Sequence, residues 1–219
     1  ESLAAGPDER TRSGERYVAD AVAWSRRIKA DPRFGPLILL GHSEGALIAS
    51  LAAGPAAADG VIALAGSGRP IGQVLREQLA GQLPPKELQR AQALIEQHKA
   101  GRQSDQIPAP LKDVFRPSVQ PYLISLFRQD PAAAFGALKV PALIIQGRND
   151  TQVSPADARA LHAAKPDAQL ALIDGMNHML RISPPGMGQQ RDAYTNPELP
   201  LASALGERIV AFVRQLTTG

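Results

Sequence analysis

Apolar positions fall into two rhythms along this chain. Tyr17, Val18, Ala21, Val22, Trp24 and Ile28 recur at helical spacing, so residues 14–29 predict an amphipathic helix. Asp31-Pro32 and Gly35-Pro36 end it. Leu37 to Leu40 is then a short unbroken apolar run, the pattern of a strand buried on both faces. Residues 44–53 return to a helical rhythm, closed by Gly54-Pro55. Val61–Ala65, 142–146 ("ALIIQ") and 169–173 ("QLALI") predict three more strands. Ser154-Pro155 supplies a cap and a first-turn proline for another helix, and 200–216 predicts a final amphipathic one. Residues 1–13 and 181–197, polar and rich in Gly, Pro or Gln, read as loops.

Strands alternating with helices imply an α/β fold around a parallel sheet. Residues 67–138 break that alternation. They carry helical patterns punctuated by prolines and no strand run, as an inserted helical lid would. We therefore expect a first part of the core over 1–66, a helical insertion over 67–138, and the rest of the core over 139–219.

At 219 residues the chain suits one domain with an insertion. Net charge is +3, from 24 basic and 21 acidic residues. The charges are scattered, and the cluster Arg26, Arg27 and Lys29 reads as a solvated helix face, so no nucleic-acid partner is expected. Cysteine is absent, which excludes disulfides, thiolate catalysis and zinc–thiolate sites. No apolar run reaches the length of a membrane-spanning helix. Compartment stays open between cytoplasmic and exported.

The chemistry concentrates where the first strand meets its helix. "LILLGHSEGALIAS", residues 37–50, holds Gly-His-Ser-Glu-Gly between two apolar segments, the G-x-S-x-G pattern. There a serine hydroxyl is lifted above the sheet edge on a tight strand–helix turn, and glycines at 41 and 45 remove side chains expected to clash across it. A helix N-terminus also favours nearby negative charge. A nucleophilic serine needs a base, and the base needs an orienting acid. Of four histidines, His98 and His162 lie in helical patterns, and His42 sits inside the turn, directed away from Ser43. His178, in "LIDGMNHML", follows the fourth strand at the carboxyl edge of the sheet, where such folds collect their ligands. Asp150 closes "LIIQGRND" just after the third strand. Asp174 is only four residues from His178, and Asp157 falls in a helix, so Asp150 is the expected acid.

With these segments in place, the chain resembles the α/β-hydrolase superfamily, and within it the serine carboxylesterases with a "GHSEG" elbow. "LILLGHSEGALIAS", "VPALIIQGRND" and "LIDGMNHML" carry the resemblance, in the order Ser, Asp, His. It implies Ser43 as nucleophile, His178 as general acid/base, Asp150 as its partner, and the Glu44 backbone N–H as an oxyanion donor. It implies hydrolysis of esters of small to medium acyl chain with no metal or organic cofactor. A thioesterase or peptidase on the same residues, or a non-catalytic half-domain, are the alternatives. Dehalogenases and epoxide hydrolases of this fold use an Asp nucleophile, which Ser43 argues against. Phe115, Tyr122, Leu126 and Phe127 from the insertion, with Met176 and Met179 beside His178, are candidate pocket residues. Family members place several strands before the elbow strand. Here only 36 residues precede it, and the chain opens at Glu1 without an initiator Met, so we expect the N-terminal part of the sheet to be supplied by another segment or chain.

Overall fold

The computed structural model describes residues 9–183 and 187–217. In chain order these form α1 (Gly14–Lys29), β1 (Ile38–His42), α2 (Glu44–Ala53), β2 (Gly60–Leu64), α3 (Ile71–Ala80), α4 (Pro85–Lys99), α5 (Lys112–Phe115), α6 (Gln120–Phe127), α7 (Pro131–Gly136), β3 (Ala142–Gly147), α8 (Pro155–Ala164), β4 (Gln169–Ile173), α9 (Met187–Thr195) and α10 (Ser203–Thr217). One loop expectation fails. Within 181–197, α9 forms, and residues 184–186 lie outside the described residues, as do residues 1–8 of the N-terminal loop. Gln190 helps to anchor α9, donating from Nε2 to the Asn149 carbonyl at 2.8 Å. Thr151 Oγ1 donates to Gln190 Oε1 at 3.0 Å and Arg181 Nη1 to the Ala193 carbonyl at 3.0 Å, so tertiary contacts hold a helix whose sequence shows no apolar stripe.

The residues divide into two compact units. The larger, Asp20–Arg69 with the chain from Pro131 on, holds a four-stranded sheet in the order β1-β2-β3-β4. Every neighbouring pair is parallel, with Leu40 opposite Ile62, Ile62 opposite Leu143, and Leu143 opposite Gln169. Side chains alternate across a sheet, which explains why the central strands read as unbroken apolar runs. Val61, Ala63 and Ile144 face a core built with Ala46, Ala49 and Ala53 of α2, Phe135, and Ala158 and Leu161 of α8. Ile62, Leu64, Leu143 and Ile145 face the opposite core, built with Leu205 and Phe212 of α10. All residues of β2 and β3 are buried, whereas the edge strands β1 and β4 are partly exposed. The α8 start is held by a capping box: the Ser154 N–H donates to Asp157 Oδ2 at 3.2 Å, and Pro155 takes the first turn. Asp157, fully buried, also pairs with Arg69 at 2.9 Å.

The smaller unit takes Pro70–Asp130 and the described residues up to Ala19. Its core is Leu79, Ala91, Leu94, Ile95, Leu111 and Phe115, closed by partly buried Leu75, Leu88, Leu123 and Phe127. The units divide at 70 and 130, and the stretch up to Ala19 groups with the helices rather than with the sheet. Long-range contacts explain why. The Gly14 N–H donates to Ser125 Oγ at 2.8 Å, Tyr17 meets Tyr122 edge-on at 5.8 Å, and Glu9 accepts from Arg116 and Ser118. No local pattern announces such pairings.

Candidate functional site

The turn from β1 to α2 carries the first component. Ser43 adopts φ 56° and ψ −121°, a left-handed conformation costly for a residue with a side chain, and such strain collects where a side chain must be aimed. Its N–H donates to the Leu64 carbonyl at 2.8 Å, which ties the turn to β2. Gly41 is obligatory here: a Cβ on it would fall 2.0 Å from the Gly45 carbonyl oxygen. Gly45 is different. A Cβ at 45 meets nothing within 4 Å outside the backbone of its own helix, so the expected clash at 45 is not found and the steric demand rests on 41 alone. A second close approach went unrecognised in sequence, because a Cβ on Gly66 would come 2.5 Å from Cβ of Ala46.

Two loops at the same edge of the sheet carry the rest. Asp150, buried, accepts at Oδ1 from the N–H groups of Gln152 (2.8 Å) and Val153 (2.9 Å). Its Oδ2 accepts from Gln146 Nε2 at 3.0 Å and lies 2.8 Å from Nδ1 of His178, which is also buried. A carboxylate has only acceptors to offer, so His178 carries a proton on Nδ1 and its Nε2 is left as the basic nitrogen. Gln146 also donates to the Val153 carbonyl at 2.9 Å, gripping both ends of the 150–153 turn. The loops are laced by backbone as well. The Asn149 N–H donates to Met176 O at 3.0 Å, and Asn149 Nδ2 donates to Ser183 O at 2.7 Å. Gly147 permits this approach, since a Cβ on it would sit 2.0 Å from Met176 O.

His42 joins the two components. Its Nε2 lies 2.8 Å from the main-chain oxygen of His178, and the two imidazole rings are 4.9 Å apart. Burial pushes the His42 pKa below its ordinary value, partly offset by that hydrogen bond. Burial raises the Glu44 carboxyl to about 7. As the first residue of α2, Glu44 has an N–H among those that the helix's own carbonyls do not take up.

The structure therefore brings Asp150 and His178 into direct contact and sets the residue next to Ser43 against the His178 backbone. The pocket candidates differ in their burial. Met176 is fully buried in the core beside β3 and α10, and Phe115 and Leu126 are buried within the helical unit. Tyr122, Phe127 and Met179 are only partly enclosed. Gln146 was missed in sequence, and His42 was weighed there only as a base. A Gln inside a buried strand is itself a signal, since its amide must find partners there.

The family description "Serine aminopeptidase, S33" matches residues 4–184, well over half of the chain. The chain belongs to this serine aminopeptidase family of α/β-hydrolases. This S33 family member is 25% identical over 169 residues to Esterase EstD of Thermotoga maritima, a match covering 74% of the chain and 40% of EstD. Among solved structures it is similar to Est1E from Butyrivibrio proteoclasticus (TM-score 0.62, 16% identity, 95% of the chain and 72% of Est1E). It also resembles a structure from work on the metagenome-derived lipolytic enzymes LipS and LipT (TM-score 0.56, 20% identity, 94% and 76%). A third similarity is to BpoC of Mycobacterium tuberculosis (TM-score 0.55, 18% identity, 94% and 75%). At these identities the solved structures speak for the fold, which is that of a partial α/β-hydrolase. The chain spans less than half the length of EstD. Among its described residues, no helix is long and apolar enough to cross a membrane.

Proposed function

We propose that this hydrolase cleaves carboxylic esters of small to medium acyl chain through an acyl-enzyme, with Ser43 as nucleophile, His178 as general base and Asp150 as its orienting acid. The observation that carries the reading is the buried hydrogen bond of His178 Nδ1 to Asp150 at 2.8 Å, which leaves Nε2 as the base in a loop bonded to the neighbour of Ser43. In the proposed reaction His178 Nε2 takes the Ser43 proton as Oγ attacks the ester carbonyl. The oxyanion is met by the Glu44 N–H at the positive end of α2. His178 then returns the proton to the leaving alcohol, and water repeats the sequence on the acyl-enzyme. The relationship to Esterase EstD favours an ester. The family description favours a second reading, a peptidase acting through the same three residues.

The expected additional strand-bearing segment remains part of this proposal. β1 lies at the sheet edge and Leu40 on it is 48% exposed, a surface that another strand would cover.

A fluorophosphonate probe tests the nucleophile. The wild-type chain labels and Ser43→Ala does not, with ester turnover falling by about 10⁵ or more. Labelling that persists in a folded Ser43→Ala variant overturns the assignment. A panel of p-nitrophenyl esters, acyl thioesters and aminoacyl anilides separates esterase from peptidase, and preferred turnover of the anilides would favour the second reading.

A further inference from the structure

The strained turn and the His-bearing loop come from opposite ends of the sequence, 136 residues apart at the point where they touch. The Asp150 network fixes His178 from its Nδ1 side. It does nothing to fix the separation between His178 and Ser43. A hydrogen bond joins the Ser43 turn to the His178 loop, and it comes from the side chain directly preceding Ser43.

We propose that His42 is a positioning residue, a brace that sets the spacing between Ser43 and His178 by donating its Nε2–H to the His178 main-chain oxygen. This rests on the catalytic reading above. The partner is a carbonyl, which can only accept, so the His42 ring carries its proton on Nε2. The ring is part-buried, which shelters the bond from competing water. It also lies 4.9 Å from the His178 ring at an interplanar angle of 42°, so it backs the imidazole by contact as well as by the hydrogen bond. Burial favours the neutral ring, which keeps a second positive charge away from His178 when His178 takes up a proton. The carbonyl belongs to the same residue whose imidazole is the proposed base. Movement of His42 therefore shifts the base with little intervening slack. A displacement of about 1 Å in a reacting group costs on the order of 10² in rate, so one brace bond can matter far beyond its own strength.

The test compares His42→Phe, which keeps a ring and loses the donor, with His42→Gln, which keeps an N–H donor. Turnover of a short p-nitrophenyl ester is measured with Ser43→Ala as control. We expect His42→Phe to lower kcat about 10–100-fold with KM within about twofold, and His42→Gln to recover most of that loss. Full kcat in His42→Phe, equal impairment in both variants, or a change confined to KM would overturn the brace. Nitrogen-15 NMR of the wild-type imidazoles reads it without any variant: His42 protonated on Nε2 supports it, and His42 protonated on Nδ1 overturns it. The low-field Nδ1 proton of His178, which should exchange faster in His42→Phe than in His42→Gln, separates the two claims. Altered exchange without Ser43-dependent turnover keeps the brace and rejects the catalytic reading. Ser43-dependent turnover with unaltered kcat and exchange does the reverse.

Discussion

The Ser43 turn and the Asp150–His178 loops are built by different means. The turn is a backbone device. Its shape follows from Gly41, which lets a carbonyl come within 2.0 Å of where a Cβ would be, and from a left-handed Ser43 held by the Leu64 carbonyl. The loops are a side-chain device. Asp150 and His178 hold their places through Gln146, Asn149 and the amides of Gln152 and Val153. A backbone device tolerates few substitutions and fails as a fold. A side-chain device can lose one hydrogen bond and fail as chemistry while the fold survives.

Substitutions that spare one region and strike the other sharpen this contrast. Asp150→Asn should leave the chain folded and the Ser43 turn intact, yet lower kcat by about 10⁴, because the amide favours the wrong His178 tautomer. Steady-state kinetics beside a melting curve checks this, and a loss below tenfold would remove Asp150 from the proposed mechanism. Gly41→Ala should act oppositely. The added methyl has a backbone oxygen in its way, so we expect a stability loss of more than about 4 kcal/mol, seen as loss of a cooperative thermal transition. A folded and active Gly41→Ala chain would show that the turn can relax.

Smaller effects follow. Gln146→Leu removes the donor gripping both Asp150 and Val153. We expect kcat to fall about tenfold, with little change in KM, and stability to fall by about 1–3 kcal/mol as the Val153 carbonyl loses its buried partner. Glu44→Gln is the mildest. Burial raises the Glu44 pKa from 4.5 to about 7 in the folded chain, so the folded state holds its proton more firmly than the unfolded state. That contribution is fully present below about pH 4.5 and is lost as pH rises toward 7. Glu44→Gln should therefore melt like the wild type at pH 4 and a few degrees higher at pH 8, equivalent to about 1–3 kcal/mol after screening. A stabilisation of equal size at both pH values would show that ionisation of Glu44 is not the cause.

The same contrast governs what could be read from residues alone. The 44–53 helix and the 169–173 strand are legible because each depends on rhythm within one short window. Ser43, Asp150 and His178 are legible as candidates because each follows a strand, and a parallel sheet gathers such positions at one edge. Helix α9 was not legible, because its anchors are long-range, such as the hydrogen bond from the Gln190 side chain to a carbonyl 41 residues away. The fate of Met176 was not legible either: beside His178 in sequence, it turns instead into the core with Phe212.

By itself the sequence determined the alternation of strand and helix, the parallel sheet, the steric need for glycine at 41 and the chemical inventory at the sheet edge. Periodicity and backbone stereochemistry act over a few residues and leave their mark there. Tertiary structure alone decided that His42 reaches the His178 carbonyl, that Gly45 is sterically idle, and that the residues up to Ala19 join the helices. Those outcomes depend on distances between segments dozens to more than a hundred residues apart, and only packing of the whole chain sets them.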